Sequence, residues 1–106
     1  MYVGEDFPDT TPSEQRFLSF DFSDGLSPGE TVVSSVWTVG IAASSEGSDP
    51  SPMSRLLGSP TTDGFKCTQQ ISGCLSGVTY LIDCVATTSS SGKLDFSSHI
   101  YCGTPA

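Results

Sequence analysis

Only one imidazole is present in this chain, at His99, so any nucleophile that needs a neutral base must find it there. A Ser-His-Asp arrangement requires that base beside an activated hydroxyl. His99 falls mid-strand on an outward position, and no Gly-x-Ser-x-Gly turn occurs. An acid-base pair of carboxylates requires one buried member, whereas Asp21, Asp24, Glu30, Asp83 and Asp95 all read as turn or outward positions. The run Asp21-Phe22-Ser23-Asp24-Gly25 offers oxygen ligands without the spacing of a dedicated calcium loop. No glycine-rich turn leads into a helix that could cradle phosphate. The expectation is a non-enzymatic protein without metal or cofactor.

Four cysteines, Cys67, Cys74, Cys84 and Cys102, are an even number in a small chain and invite a disulfide reading. Cytosolic synthesis argues the other way. Gaps of 6, 9 and 17 residues between them, with a single histidine, match no usual zinc spacing. The expectation is four free thiols, with Cys84 and Cys102 as small core residues on neighbouring strands.

Composition narrows the partners. Twelve acids against Arg16, Arg55, Lys66 and Lys93 give a net charge of -8, which repels phosphate-rich partners, so nucleic-acid binding is not expected. No basic-then-apolar leader and no apolar run long enough to span a bilayer is present, so neither a membrane nor self-export is expected. The absence of asparagine excludes N-linked glycosylation and leaves turns to Gly, Asp, Ser and Pro. At 106 residues, with 11 Gly and 7 Pro, the chain holds one core and no sustained 3.6-residue period. That composition predicts an all-β fold.

The elements follow from period-two alternation. Residues 1–14, with Pro8 and Pro12, read as an extended N-terminal arm whose Tyr2, Val3 and Phe7 are apolar anchors for a neighbouring subunit; a frayed terminus is the plain alternative. The domain proper spans residues 15–103, and residues 104–106 form a tail. Leu18, Phe20 and Phe22 make the apolar face of the first confident strand. The strand from Glu30 to Val39 sends Val33, Trp37 and Val39 inward, with Trp37 at the core centre and ligand stacking as its alternative role. Residues 46–60, rich in Pro, Gly and Ser, read as a long loop that carries Met53, Leu56 and Leu57 as a second candidate contact surface, with one helical turn near Pro52. Alternation resumes from Thr62 to Ile71, interrupted by Gln69. A Ser89-Ser90-Ser91-Gly92 turn, with Gly92 available for positive φ, leads into a last strand whose Phe96, Ser98, Ile100 and Cys102 share a face.

Leu75 to Ala86 organises the rest. Tyr80, Ile82, Cys84 and Ala86 lie on one face, and the spacing Leu-x-x-Gly-x-x-Tyr-x-Ile-x-Cys-x-Ala resembles the sixth strand of fibronectin type III domains, with Tyr80 as a corner tyrosine whose hydroxyl returns to nearby backbone. The expected fold is therefore an immunoglobulin/fibronectin III-like antiparallel β-sandwich of about seven strands. Its core comprises Phe20, Trp37, Tyr80, Ile82, Cys84 and Ile100.

Several segments, in order, resemble small tailed-bacteriophage virion proteins, the fibre-tail adaptors and minor structural proteins. They are Phe7-Pro8, Leu18 to Asp24, the run Gly29-Glu30-Thr31-Val32-Val33-Ser34-Ser35-Val36-Trp37-Thr38-Val39, Ile71-Ser72-Gly73, Gly77-Val78-Thr79-Tyr80 and Val85 to Ser89. The resemblance spans residues 7–102. It implies a non-enzymatic subunit, present in multiple copies in the virion and made in the host bacterial cytoplasm, that joins fibre or tail parts to the particle. Its partners would be portal, tail, fibre or capsid proteins, with no nucleic acid, membrane or cofactor. A head or neck decoration protein is the alternative. A sugar- or receptor-binding module would need an exposed aromatic platform, which Phe96 and Tyr101, on opposite faces of one strand, do not supply.

Overall fold

The computed structural model describes residues 2–3, 7–43 and 45–103. Among these, seven strands occur: β1 (Tyr2–Val3), β2 (Gln15–Asp21), β3 (Val32–Ile41), β4 (Leu56–Asp63), β5 (Lys66–Ser72), β6 (Thr79–Thr88) and β7 (Lys93–Tyr101). They form one sheet in the order β1-β7-β6-β3 and a second in the order β2-β5-β4. All pairs are antiparallel except β1 on β7. The two sheets pack face to face, the layout of a β-sandwich.

Alternation determines which side faces in. Along β6 buried and half-buried residues alternate without a break, and Tyr80, Ile82, Cys84 and Ala86 point into the core. Leu18, Phe20 and Phe22 oppose them from the other sheet. Phe20 stacks on Trp37 with ring centroids 5.4 Å apart, and Phe22 lies 4.3 Å from Phe96. Each large side chain withdrawn from water in this way stabilises the fold by about 1.5–3 kcal/mol. Ile100 completes the buried set.

Three local expectations are corrected. A register shift between Val32 and Ser34 inserts a bulge at the start of β3. It reverses the parity there, so Val32 is buried and Val33 is 55% exposed, while Trp37 and Val39 remain inside. The expected loop of residues 46–60 ends early, because β4 begins at Leu56 after a short 3-10 turn at Pro52–Arg55. Pro60 is accommodated within a second register shift, between Leu57 and Thr61, where no ladder donor is required of it. In the β6–β7 turn, Ser91 rather than Gly92 takes the positive φ, at 66°.

The expectation of four free thiols is also overturned. Cys74 and Cys102 form a disulfide with Cα atoms 6.1 Å apart. Strand parity could not bring them together, since Cys74 precedes the corner. The turn at Gly77, with φ +81°, lets its N–H donate to Cys102 O at 2.8 Å, and Cys102 N–H returns to Val78 O at 2.9 Å. These bonds clamp the corner to the end of β7. Cys67 and Cys84 remain free and buried.

The described part of the arm runs along its own chain. Tyr2 and Val3 pair with Phe96 and Ser97; further on, Phe7 N–H donates to His99 O and Thr10 N–H to Tyr101 O, each at 2.9 Å. Phe7 packs on Phe20 at 5.3 Å. Residues 4–6 of the arm and 104–106 of the tail lie outside the described residues.

Candidate functional site

Elements that carry the candidate chemistry keep it apart. Among the described residues no group of three or more His, Cys, Asp and Glu could hold a metal ion. Asp21 Oδ1 accepts the Ser23 N–H at 2.9 Å, closing a turn, and the backbone and hydroxyl of Ser23 hold its carboxyl below the usual range. Glu30 is occupied in the same way, by the Ser90 hydroxyl and by the Ser27 N–H; those bonds lower its pKa as well. Within the Asp21-to-Gly25 run, one oxygen of Asp21 is thus taken up by local backbone. His99 lies opposite Leu81 in the β6–β7 ladder.

Two carboxylates that sequence parity assigns to solvent do come together. Asp83 faces Ser97 and Asp95 faces Val85, so the two acids sit diagonally on the outer face of β6 and β7. Burial, a hydrogen bond with Asp95 and its like charge push the Asp83 carboxyl up to about 6. The pair can hold one proton between its members.

The Tyr80 hydroxyl is bonded to the turn before β6 and to a second partner the sequence does not reveal. Its hydroxyl accepts the Leu75 N–H at 2.9 Å and donates to Asp49 Oδ2 at 2.8 Å. Asp49 is buried; its Oδ1 accepts the Ser51 N–H at 2.8 Å, and its Oδ2 meets Arg55 Nε at 3.4 Å. Arg55 also donates to Gly73 O. Burial, chiefly, with the Asp49 carboxylate adding to it, pushes the Tyr80 hydroxyl up to about 12. The network straps residues 49–55, ahead of β4, onto the turn before β6.

Of the residues expected to make contacts, Phe7 is turned into its own core and Leu56 packs against it; the backbones of Tyr2 and Val3 are held by β7. Met53 is 49% exposed beside β3, where its sulfur accepts the Val39 N–H at 3.1 Å. Leu57 is 38% exposed and faces outward from β4.

Sequence reasoning missed the partner of Leu57. Phe17 on β2 and Leu57 on β4 are both paired with Gln70 on β5, forming one cross-strand row on the outer face of the three-stranded sheet. Phe17 is 71% exposed. The next row is Ser19, Thr68 and Thr61, with Ser19 and Thr68 hydroxyls 2.8 Å apart. Charges appear only in the third row, Asp21, Lys66 and Asp63. The centre of this face thus carries two apolar side chains among uncharged polar ones, in a chain of net charge -8. An aromatic on the outward parity of β2, between Arg16 and Ser19, was the available signal.

A family model described as podophage GP4 fiber-tail adaptor protein gp77 matches residues 11–101. No curated protein and no solved structure matches the chain.

Proposed function

We propose, from the premise that the chain belongs to the podophage GP4 fiber-tail adaptor family, that it engages a neighbouring fibre or tail subunit through the outer face of the β2-β5-β4 sheet. Its role is structural and non-enzymatic, that of an adaptor linking fibre and tail components in the virion of a tailed phage. The observation that carries the choice of surface is Phe17, the most exposed large apolar side chain among the described residues, aligned with Leu57 across Gln70. A solvated phenylalanine contributes nothing to the monomer's core, and withdrawing it together with Leu57 from water favours association. The surrounding hydroxyls and amides carry no formal charge, so covering them does not strip solvent from an ion.

The fold supports a rigid platform of immunoglobulin-like type. Strand order β2-β5-β4 facing β7-β6-β3 corresponds to the B-E-D and G-F-C sheets of that topology, with Trp37 on the third strand and Tyr80 at the corner. Multiple copies per particle and synthesis in the host cytoplasm belong to the same reading.

The test introduces Phe17→Asp and Leu57→Asp separately into the phage and quantifies the subunit in purified virions by mass spectrometry. Each purified variant should melt within about 2 °C of the parent, as surface substitutions do, while incorporation falls at least tenfold. Incorporation at the parental level by both variants would reject this face.

A further inference from the structure

We infer that Cys67 and Cys84 are a latent cross-link between the two sheets, a buried dithiol that a small peroxide converts into a second disulfide. The argument begins with pairing. Cys67 on β5 is the cross-strand partner of Phe20, and Cys84 on β6 is the cross-strand partner of Trp37. Phe20 and Trp37 stack across the sandwich at 5.4 Å, so the two pairs face each other and their sulfurs meet. The thiols hydrogen-bond to one another and both reach the Ser35 hydroxyl, which accepts Trp37 Nε1–H at 3.0 Å. Both cysteines are fully buried and unpaired.

This is a polar cluster at a place where packing alone would be satisfied by valine or alanine. Donation from Cys84 lowers the proton affinity of Cys67, burial opposes it and the Ser35 hydroxyl assists, whereas the bond to Cys67 together with burial pushes Cys84 up. Attack by either sulfur gives the same products, and the route through Cys67 stands for both.

A peroxide is the oxidant because a molecule little larger than water can reach the core through local opening, where a bulky disulfide cannot. Cys67 sulfur attacks one oxygen of hydrogen peroxide; the O–O bond breaks, and the departing hydroxide takes the Cys67 proton to become water, leaving a sulfenic acid. Cys84 sulfur then attacks Cys67 sulfur, the S–S bond forms, and the displaced hydroxyl leaves with the Cys84 proton as a second water. Two thiols and one peroxide give one disulfide and two waters. Two electrons pass from the sulfurs to the peroxide oxygens. The new bond would tie β5 to β6, covalently joining sheets that otherwise adhere by packing.

The experiment treats the full chain, with Cys74–Cys102 intact, with hydrogen peroxide and follows it by intact mass and non-reducing peptide mapping. The expected result is a loss of about 2 Da from the two removed hydrogens, with a single new linkage between the Cys67 and Cys84 peptides. The melting temperature should rise by roughly 10 °C, and Cys67→Val should show neither change. Oxygen added at either sulfur, no reaction, or a linkage to Cys74 or Cys102 would overturn the inference. Should Cys67→Val fail to fold, the map of the parent chain decides between these outcomes on its own.

Discussion

Replacing Tyr80 by phenylalanine removes one oxygen from the network that straps the β3–β4 connection onto the corner, and its cost can be worked out bond by bond. The Leu75 N–H loses its acceptor at 2.9 Å and is left unsatisfied beside a ring that is almost fully buried, about 1–2 kcal/mol. Asp49 loses the donor at 2.8 Å but keeps the Ser51 N–H and Arg55, so that side costs about 1 kcal/mol. The sum is about 2–3 kcal/mol, which lowers the melting temperature of a domain this size by roughly 10–20 °C. Urea unfolding at neutral pH, followed by Trp37 fluorescence, measures it. Repeating the substitution in an Asp49→Asn background should recover part of the loss as a coupling energy, because the two changes share a bond. A raised tyrosine pKa is fully stabilising below its unfolded value near 10 and is lost as pH rises towards about 12. The parent should therefore lose stability on the alkaline side of pH 10 more steeply than Tyr80→Phe. A cost below about 0.5 kcal/mol, or identical alkaline profiles, would refute the corner's energetic role.

Asp83→Asn relieves a carboxylate held near its like-charged neighbour. Because Asp83 is raised to about 6, its favourable contribution is present below the usual value near 4 and is lost as pH rises through 6. The variant should be more stable than the parent at pH 7.5 by roughly 1 kcal/mol, allowing for partial solvation, and the two should converge at pH 4; thermal scans at both pH values check this. The double substitution Cys74→Ser with Cys102→Ser opens a loop with a separation of 28 residues and should cost about 3–4 kcal/mol on the chain-entropy model, read as the difference in urea midpoints. Gln69→Leu should cost about 2–3 kcal/mol, measured the same way, because the buried amide donates to the carbonyls of Leu57, Gly58 and Gln70.

That last residue shows where sequence reasoning stops. Alternation alone assigns β2, β6 and β7 and selects Trp37, Phe20, Ile82 and Ile100 for the core, since a half-buried strand has to repeat every second residue; the strand expected from Thr62 to Ile71 is cut by a turn between Asp63 and Lys66, so that its start belongs to β4 and only the remainder to β5. Gln69 looked like a break in an apolar face. Its role depends on a bulge in the neighbouring strand, at the Leu57–Thr61 shift, where backbone carbonyls lose their ladder partners and a side-chain amide replaces them. No local pattern on β5 encodes an irregularity on β4. The bulge at Val32–Ser34 escaped for the same reason, and Val33 was assigned to the wrong side. Asp49 and Arg55 are legible only as loop residues until Tyr80, some thirty positions away, supplies the contact that buries them. The Cys74–Cys102 bond likewise depends on a turn that brings the corner to the chain's end.

The contact face follows the same logic from the opposite side. Period-two alternation sorts residues by face, and on β2 it assigned Phe17 to the outer side with Ser19 and Asp21, where one apolar residue is unremarkable. What changes its meaning is the register: β5 carries Gln70 to it, and β4, beginning at a position where proline and glycine concealed a strand, carries Leu57 to the far side of Gln70. Neither residue gains anything for the monomer by being apolar. Because the core is complete without them and the strap is fixed by Asp49 and Tyr80, substitutions on this face and substitutions in the network should separate cleanly: the first should change incorporation into particles at constant stability, and the second should change stability. An adaptor linking fibre and tail components requires that separation, since its surface must fit its partners while its own fold stays unchanged.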